Sequence, residues 1–128
     1  MSSAIEPKRV LFVDDEKLIA DTSAIIFVNR GYEARAVYSA EQALELISDW
    51  LPNLAIIDVR LPGMNGIDLA IRLKAEYPDC RLALFSGQAS TADLLELARE
   101  NGHSFNIFAK PISPDELLAQ ASHLLYSH

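Results

Sequence analysis

The sequence predicts an α/β fold in which five parallel strands form a doubly wound sheet with helices on both faces. Residues 10–13, 54–57 and 82–85 are continuous apolar runs, the pattern of strands that are buried on both sides. Amphipathic segments with helix start and stop signals separate these runs. Because parallel connections within one sheet are right-handed, five such β–α units predict a three-layer α/β/α domain.

Two weaker patterns complete the set of five strands. Residues 32–38 mix polar and apolar side chains, as an edge strand does, and residues 105–109 follow the predicted fourth helix. We expect residues 1–128 to form one domain, with no output domain in this chain.

The helix predictions depend on capping residues and on apolar spacing. Ser39 and Ser113 each precede a Gln or Glu by three residues, the capping-box pattern that begins the second and fifth helices. Asn65 and Ser90 can cap the third and fourth. The first helix ends at Gly31, and its predicted buried face consists of Leu18, Ile19, Thr22, Ile25, Ile26 and Asn29.

The composition excludes several classes of function. A formal net charge of −7 argues against non-specific binding to nucleic acid or to anionic membranes. The single cysteine, Cys80, excludes an internal disulfide and a cysteine-based zinc site. No apolar run approaches the roughly 18 residues of a membrane helix. The first residues also lack the apolar stretch of a signal peptide, so we expect a cytoplasmic protein.

Polar side chains that could take part in a reaction lie where four of the predicted strands end. Asp14 and Asp15 follow the first strand, Asp58 the third, Ser86 the fourth and Lys110 the fifth. The carboxyl ends of parallel strands share one rim, which is where such sheets carry their functional groups. Each residue alone could be a helix cap, a turn or a surface side chain. Their coincidence on one rim favours a site.

The chemistry of that rim points to phosphoryl transfer. Three neighbouring carboxylates repel one another and require a counterion, and Mg²⁺ or Mn²⁺ suits an oxygen-lined site that is open to water and phosphate. One carboxylate can then attack a phosphoryl group and form an acyl phosphate. Phosphoryl transfer needs positioning and charge neutralisation, which a metal ion, an ammonium and a hydroxyl supply.

With these residues in place, the whole chain resembles the receiver domains of two-component response regulators, and among them the single-domain regulators of the chemotaxis type. The resemblance implies a flavodoxin-like (βα)5 fold and phosphorylation-dependent signalling, without turnover of an external substrate. The motifs that carry it are Arg9-Val10-Leu11-Phe12-Val13-Asp14-Asp15-Glu16, Ile57-Asp58-Val59-Arg60-Leu61-Pro62-Gly63-Met64-Asn65-Gly66, Ser86-Gly87 and Lys110-Pro111-Ile112.

The resemblance implies a role for each residue on the rim. Asp58 would accept a phosphoryl group from the phosphohistidine of a histidine kinase. Asp15 would bind Mg²⁺ directly together with Asp58, helped by Asp14 and by the main-chain carbonyl of Arg60. Ser86 and Lys110 would contact the phosphoryl oxygens. The resemblance also implies a cis bond before Pro111 and close packing of Gly66 at the start of the third helix.

Three positions bear on switching and on the lifetime of the acyl phosphate. Many receivers carry Tyr or Phe three residues before the lysine, whereas this chain has Ile107, which places the usual aromatic switch in doubt. The resemblance suggests that the side chains of Arg60 and Gln88 control access of water to the acyl phosphate. Solvated polar side chains are an equally good reading of both.

The resemblance also implies partners. They are a histidine kinase or phosphotransfer protein, and a downstream protein or output domain controlled through the fourth helix, fifth strand and fifth helix. Phosphorylation could also produce a homodimer.

Three alternatives remain open. A phosphohydrolase of the haloacid dehalogenase type requires a second Asp two residues after the nucleophile, where this chain has Arg60. A flavodoxin-like mononucleotide binder requires a phosphate loop rich in Ser, Thr and Gly after the first strand, where this chain is acidic. A degenerate receiver would serve only as an interaction domain, but the complete set of rim residues argues against it.

Overall fold

The computed structural model describes residues 6–87 and 92–126, in which five strands and five helices alternate. No helix in this part of the chain is long and apolar enough to cross a membrane. The predicted (βα)5 order is confirmed. The elements are β1 (Arg9–Val13), α1 (Lys17–Asn29), β2 (Glu33–Val37), α2 (Ala40–Ile47), β3 (Leu54–Asp58), α3 (Gly66–Glu76), β4 (Arg81–Ser86), α4 (Ala92–Glu100), β5 (Asn106–Ala109) and α5 (Pro114–Tyr126).

The five strands form one parallel sheet in the order β2-β1-β3-β4-β5. The chain moves outward from β1 to β2 and then crosses back to β3 on the other side of β1. This reversal leaves a crevice beyond the carboxyl ends of β1 and β3. Asp14, directly after β1, and Asp58, the last residue of β3, therefore lie side by side.

Alternate residues of the central strands separate two hydrophobic cores. Leu11 and Ile57 pack in the core beneath α2, α3 and α4, while Phe12 and Ile56 pack in the core beneath α1 and α5. All four side chains are almost completely buried. Burial on both faces explains why these strands are continuous apolar runs in the sequence.

The predicted buried face of α1 is wrong. Leu18 is 80% exposed and Ile25 is 60% exposed. The reason is that Phe27 fixes the rotation of the helix, because its ring packs edge-on against Phe12 with the centroids 5.0 Å apart. Small side chains one and two turns earlier then allow the helix to approach the sheet closely. The buried residues are Ala20, Ser23, Ala24 and Phe27.

The helix ends follow the sequence signals where the structure describes them. Side-chain oxygens of Ser39, Asn65 and Ser113 accept hydrogen bonds from the N–H three residues later, at 3.1, 2.9 and 3.2 Å. Gly31 has a φ of 93°, the left-handed conformation expected just after a helix. The predicted cap Ser90 lies outside the described residues.

The orientation of α1 predicts that one truncation on that helix lowers the free energy of unfolding strongly and another hardly changes it. Phe27→Ala should lower the free energy of unfolding by about 3–5 kcal/mol, because it opens a cavity in the core. Leu18→Ala should change it by no more than about 0.5 kcal/mol, because the Leu18 side chain already faces solvent. Urea unfolding of both variants measures the difference. A larger loss for Leu18→Ala than for Phe27→Ala would mean that the predicted face is the buried one.

Candidate functional site

The lysine predicted at the end of β5 joins the carboxylates that follow β1 and β3. Lys110 Nζ lies 3.0 Å from Asp14 Oδ2 and 3.1 Å from Asp58 Oδ2. Glu16 Oε1 lies 4.0 Å from the same nitrogen. Asp14 and Asp58 are buried, with residue exposures of 2% and 8%. The shared ammonium is therefore their main neutralising charge, because burial weakens the screening that water would provide.

The two buried aspartates are held by the same local turn. Asp14 Oδ1 accepts a hydrogen bond from the N–H of Glu16 at 3.0 Å, and Asp58 Oδ1 accepts one from the N–H of Arg60 at 3.1 Å. Aspartate at a strand end favours this bond to the N–H two residues later. Each carboxylate thus has one oxygen fixed by the backbone and the other bonded to Lys110.

Burial and charge shift two pKa values in the site. Burial raises the pKa of Asp58, and the negative charge of Asp14 adds to the effect, against the opposing hydrogen bonds from Arg60 N–H and Lys110. Burial disfavours the charged form of Lys110, but its hydrogen bonds to Asp14 and Asp58 outweigh that penalty and raise its pKa. Lys110 therefore remains an ammonium, and the Asp58 carboxylate has a higher proton affinity than an ordinary aspartate.

Three acidic residues at this rim could hold a metal ion. Among the described residues, Asp14, Glu16 and Asp58 offer carboxylate oxygens that all lie within 4.8 Å of one another. Such a set suits a hard divalent cation. Glu16 was not predicted, although it continues the Asp-Asp-Glu run after β1. Asp15 is exposed and lines the adjoining cleft. Its role as a direct ligand stays a prediction.

A cleft of about 860 Å³ opens over the acidic residues. Asp58 and Lys110 lie in its lining, and much of the remaining wall is apolar. The apolar residues come from α1 and from the segment that enters α5, and those of α1 belong to its predicted buried face. The apolar lining residues are Leu18, Ile19, Ile26, Ile112, Pro114 and Leu117.

Two glycines give the backbone room beside the site. A Cβ on Gly66, the first residue of α3, would collide with the carbonyl oxygen of Asp58, so the predicted close packing at this helix start is confirmed. A Cβ on Gly87 would lie 3.0 Å from the Cβ of Lys110. The stem of the lysine therefore runs against the Gly87 backbone. The bond between Lys110 and Pro111 is cis, as the resemblance implied.

The residues expected to act in switching have different positions in the structure. The main-chain carbonyl of Ser86 accepts a hydrogen bond from the N–H of Lys110 at 3.1 Å. Ile107 is 44% exposed on β5, and Arg60 lines the cleft. Gln88 lies outside the described residues. The roles of all four stay predictions.

The raised pKa of Asp58 makes a prediction about stability and pH. Folding favours the protonated form of the Asp58 carboxyl. Its contribution to stability is therefore present below the ordinary pKa of 3.8 and is lost as the pH rises through the higher pKa of the folded state. At pH 7 without divalent cations, Asp58→Asn should therefore unfold at a higher urea concentration than the wild type. Near pH 3 the difference should vanish. Asp15→Asn is the matched control, since it changes the net charge equally at an exposed position. Equal gains from both variants at pH 7 would contradict the prediction.

Comparisons with known proteins agree with this geometry. The family model of the response regulator receiver domain matches residues 10–122. The DNA-binding response regulator MtrA of Mycolicibacterium paratuberculosis is 32% identical over 113 residues, which cover 88% of this chain and 49% of that protein. The chain thus spans about half the length of the curated relatives it matches.

Solved structures give the same result. A CheY-like receiver domain protein from Methanospirillum hungatei has a TM-score of 0.83 at 29% identity, covering 93% of this chain and 94% of the other. The receiver domain of NtrX from Brucella abortus has a TM-score of 0.81 at 30% identity, covering 93% and 99%. The acidic rim, the bridging lysine and these matches lead to one conclusion: the chain belongs to the response regulator receiver domains.

Proposed function

We propose that this domain is a phosphorylation-controlled signalling module in which Asp58 accepts a phosphoryl group from a histidine kinase or phosphotransfer protein. The observation that carries the proposal is the position of Asp58, whose buried carboxylate lines an open cleft and lies 3.1 Å from the Lys110 ammonium. A carboxylate oxygen attacks the phosphorus of a phosphohistidine, the P–N bond breaks and the imidazole leaves. The product is an acyl phosphate.

The neighbouring residues reduce the electrostatic barrier to this reaction. Lys110 neutralises charge on the phosphoryl oxygens, and the Ser86 hydroxyl donates a hydrogen bond to one of them. Asp15 and Asp58, with help from Asp14 and the Arg60 carbonyl, hold the Mg²⁺ or Mn²⁺. When bound, that cation neutralises the carboxylates and the transferred group. The chemistry is confined to the domain's own aspartate, and Arg60 and Gln88 adjust how water reaches the product.

The cleft supports a protein as phosphodonor. An exposed apolar surface beside a reactive group typically marks a binding site for another macromolecule. Here the α1 side chains Leu18 and Ile19 border the cleft that contains Asp58, at 80% and 37% exposure. A phosphohistidine on a protein partner could be held over Asp58 by contacts with this apolar rim.

The signal leaves through α4, β5 and α5. Leu94, Leu97 and Ile107 are exposed on α4 and β5, and β5 is an edge of the sheet. This face could receive a downstream protein, an output domain or a second copy of the chain.

A stiff Ile107 contributes little to switching, because a β-branched side chain has few rotamers. Movement of Ser86 carries the change; most of the loop that is expected to move with it lies outside the described residues. The alternative, a degenerate receiver that only binds partners, leaves the Asp14, Asp58 and Lys110 cluster unexplained.

Phosphorylation at Asp58 is testable by mass spectrometry of the intact protein. Incubation with acetyl phosphate and Mg²⁺ should add one phosphoryl group to the wild type and none to Asp58→Asn, because an amide oxygen is a poor nucleophile. Asp49→Asn, which removes an exposed carboxylate elsewhere, should be labelled like the wild type. Labelling of Asp58→Asn at the wild-type level would place the acceptor at another residue.

Cation binding is testable by its effect on unfolding. A ligand that binds only the folded state stabilises it by about 2.7 kcal/mol at a free concentration 100 times its Kd. Millimolar Mg²⁺ should therefore raise the melting temperature of the wild type, and Asp15→Asn should lose most of the gain. If Glu16→Gln lost the gain while Asp15→Asn kept it, the direct ligand would be Glu16.

A further inference from the structure

We propose that Phe85 is a positioning residue for Lys110, whose ammonium the Phe85 ring holds beside Asp58. The inference rests on the proposed function, because it concerns the lysine that assists phosphorylation. Lys110 Nζ lies 5.4 Å from the centroid of the Phe85 ring. This is within the range of about 6 Å in which a cation is attracted to an aromatic face.

The sheet register places this ring next to the acceptor. Asp58 on β3 is the cross-strand partner of Phe85 on β4, and Phe85 is the partner of Phe108 on β5. Directly paired residues of neighbouring strands share a face of the sheet. Phe85 and Phe108 pack in the core beneath α1 and α5. Lys110 comes two residues after Phe108, and the ring lies between the acceptor strand and the strand that carries the lysine.

The Phe85 ring is itself held in place. It meets the Phe108 ring edge-on, with centroids 6.0 Å apart and an interplanar angle of 69°. Phe85 is 4% exposed and Phe108 is 3% exposed, so both rings have little freedom to turn. Edge-to-face packing of this kind favours a defined ring orientation. The aromatic surface presented to Lys110 is therefore preorganised.

Strand β4 and the residue after it contact both ends of the Lys110 side chain. The stem runs against the Gly87 backbone, where an added Cβ would lie 3.0 Å from the lysine Cβ, and the ammonium lies over the Phe85 ring. The alternative anchor is Glu16, whose exposed carboxylate lies 4.0 Å from the ammonium and could draw it away from Asp58. The Phe85 ring is uncharged, so its attraction persists when the carboxylates engage a cation or a phosphoryl group.

The test separates this role from simple packing with two matched variants of the full chain. Phe85→Leu removes the ring beneath the lysine. Phe27→Leu removes a similarly buried ring of the same core, which packs against Phe12 and Tyr32 instead of against Phe85. The rate of labelling by acetyl phosphate at saturating Mg²⁺ is measured for each. Phe85→Leu should be about fivefold slower, Phe27→Leu should stay within about twofold of the wild type, and Phe85→Tyr should restore the rate.

A double-mutant cycle shows whether Phe85 acts through the lysine. In a Lys110→Met background, which keeps a long apolar stem without the charge, Phe85→Leu should have less than about a twofold further effect. Equal slowing in both backgrounds, or the same slowing by Phe27→Leu, would overturn the inference and leave Phe85 a core residue.

A second measurement does not depend on phosphorylation. In the wild type without metal, the Lys110 ε-methylene protons should show a ring-current shift that Phe85→Leu abolishes. Its absence would overturn the inference even if Asp58 were labelled normally. Failure of wild-type labelling with the ring-current shift intact would instead contradict the proposed function.

Discussion

The Lys110 ammonium, shared between the Asp14 and Asp58 carboxylates, is the interaction on which the rest of the site depends. Two buried carboxylates on adjacent strands repel each other, and a fold that brings them together must also bring a positive charge. Here that charge belongs to Lys110, which follows the edge strand β5, and its side chain extends past β4 to the two carboxylates. The sheet order, the Gly87 backbone and the Phe85 ring all serve to place one ammonium where two strands end.

The fold could be predicted from the sequence because its signals are local. Continuous apolar strands report burial on both faces, and capping residues such as Ser39 and Asn65 mark helix ends through bonds that span three residues. The rim residues were predictable for a related reason, since parallel strands bring their carboxyl ends together. No further knowledge of packing was needed to place Asp14, Asp58 and Lys110 at one edge.

The features that the sequence did not reveal depend on packing between elements. Two overlapping stripes on α1 have helical spacing, and apolarity alone favours Leu18 and Ile25 over the small residues that are actually buried. The packing of Phe27 against Phe12 and Tyr32 favours the stripe that is buried. The approach of Phe85 to Lys110 depends on strand register. The proximity of Glu16 to Asp58 depends on the turn after β1. Sequence spacing does not encode either of them.

The apolar residues left exposed on α1 have a consequence for the colloidal behaviour of the protein. An open hydrophobic surface promotes association between identical molecules, and the electrostatic repulsion that accompanies a net charge of −7 opposes it. That repulsion fades as the pH approaches the isoelectric point near 4.8, and salt shortens its range. The net negative charge thus opposes self-association through the exposed apolar side chains of α1.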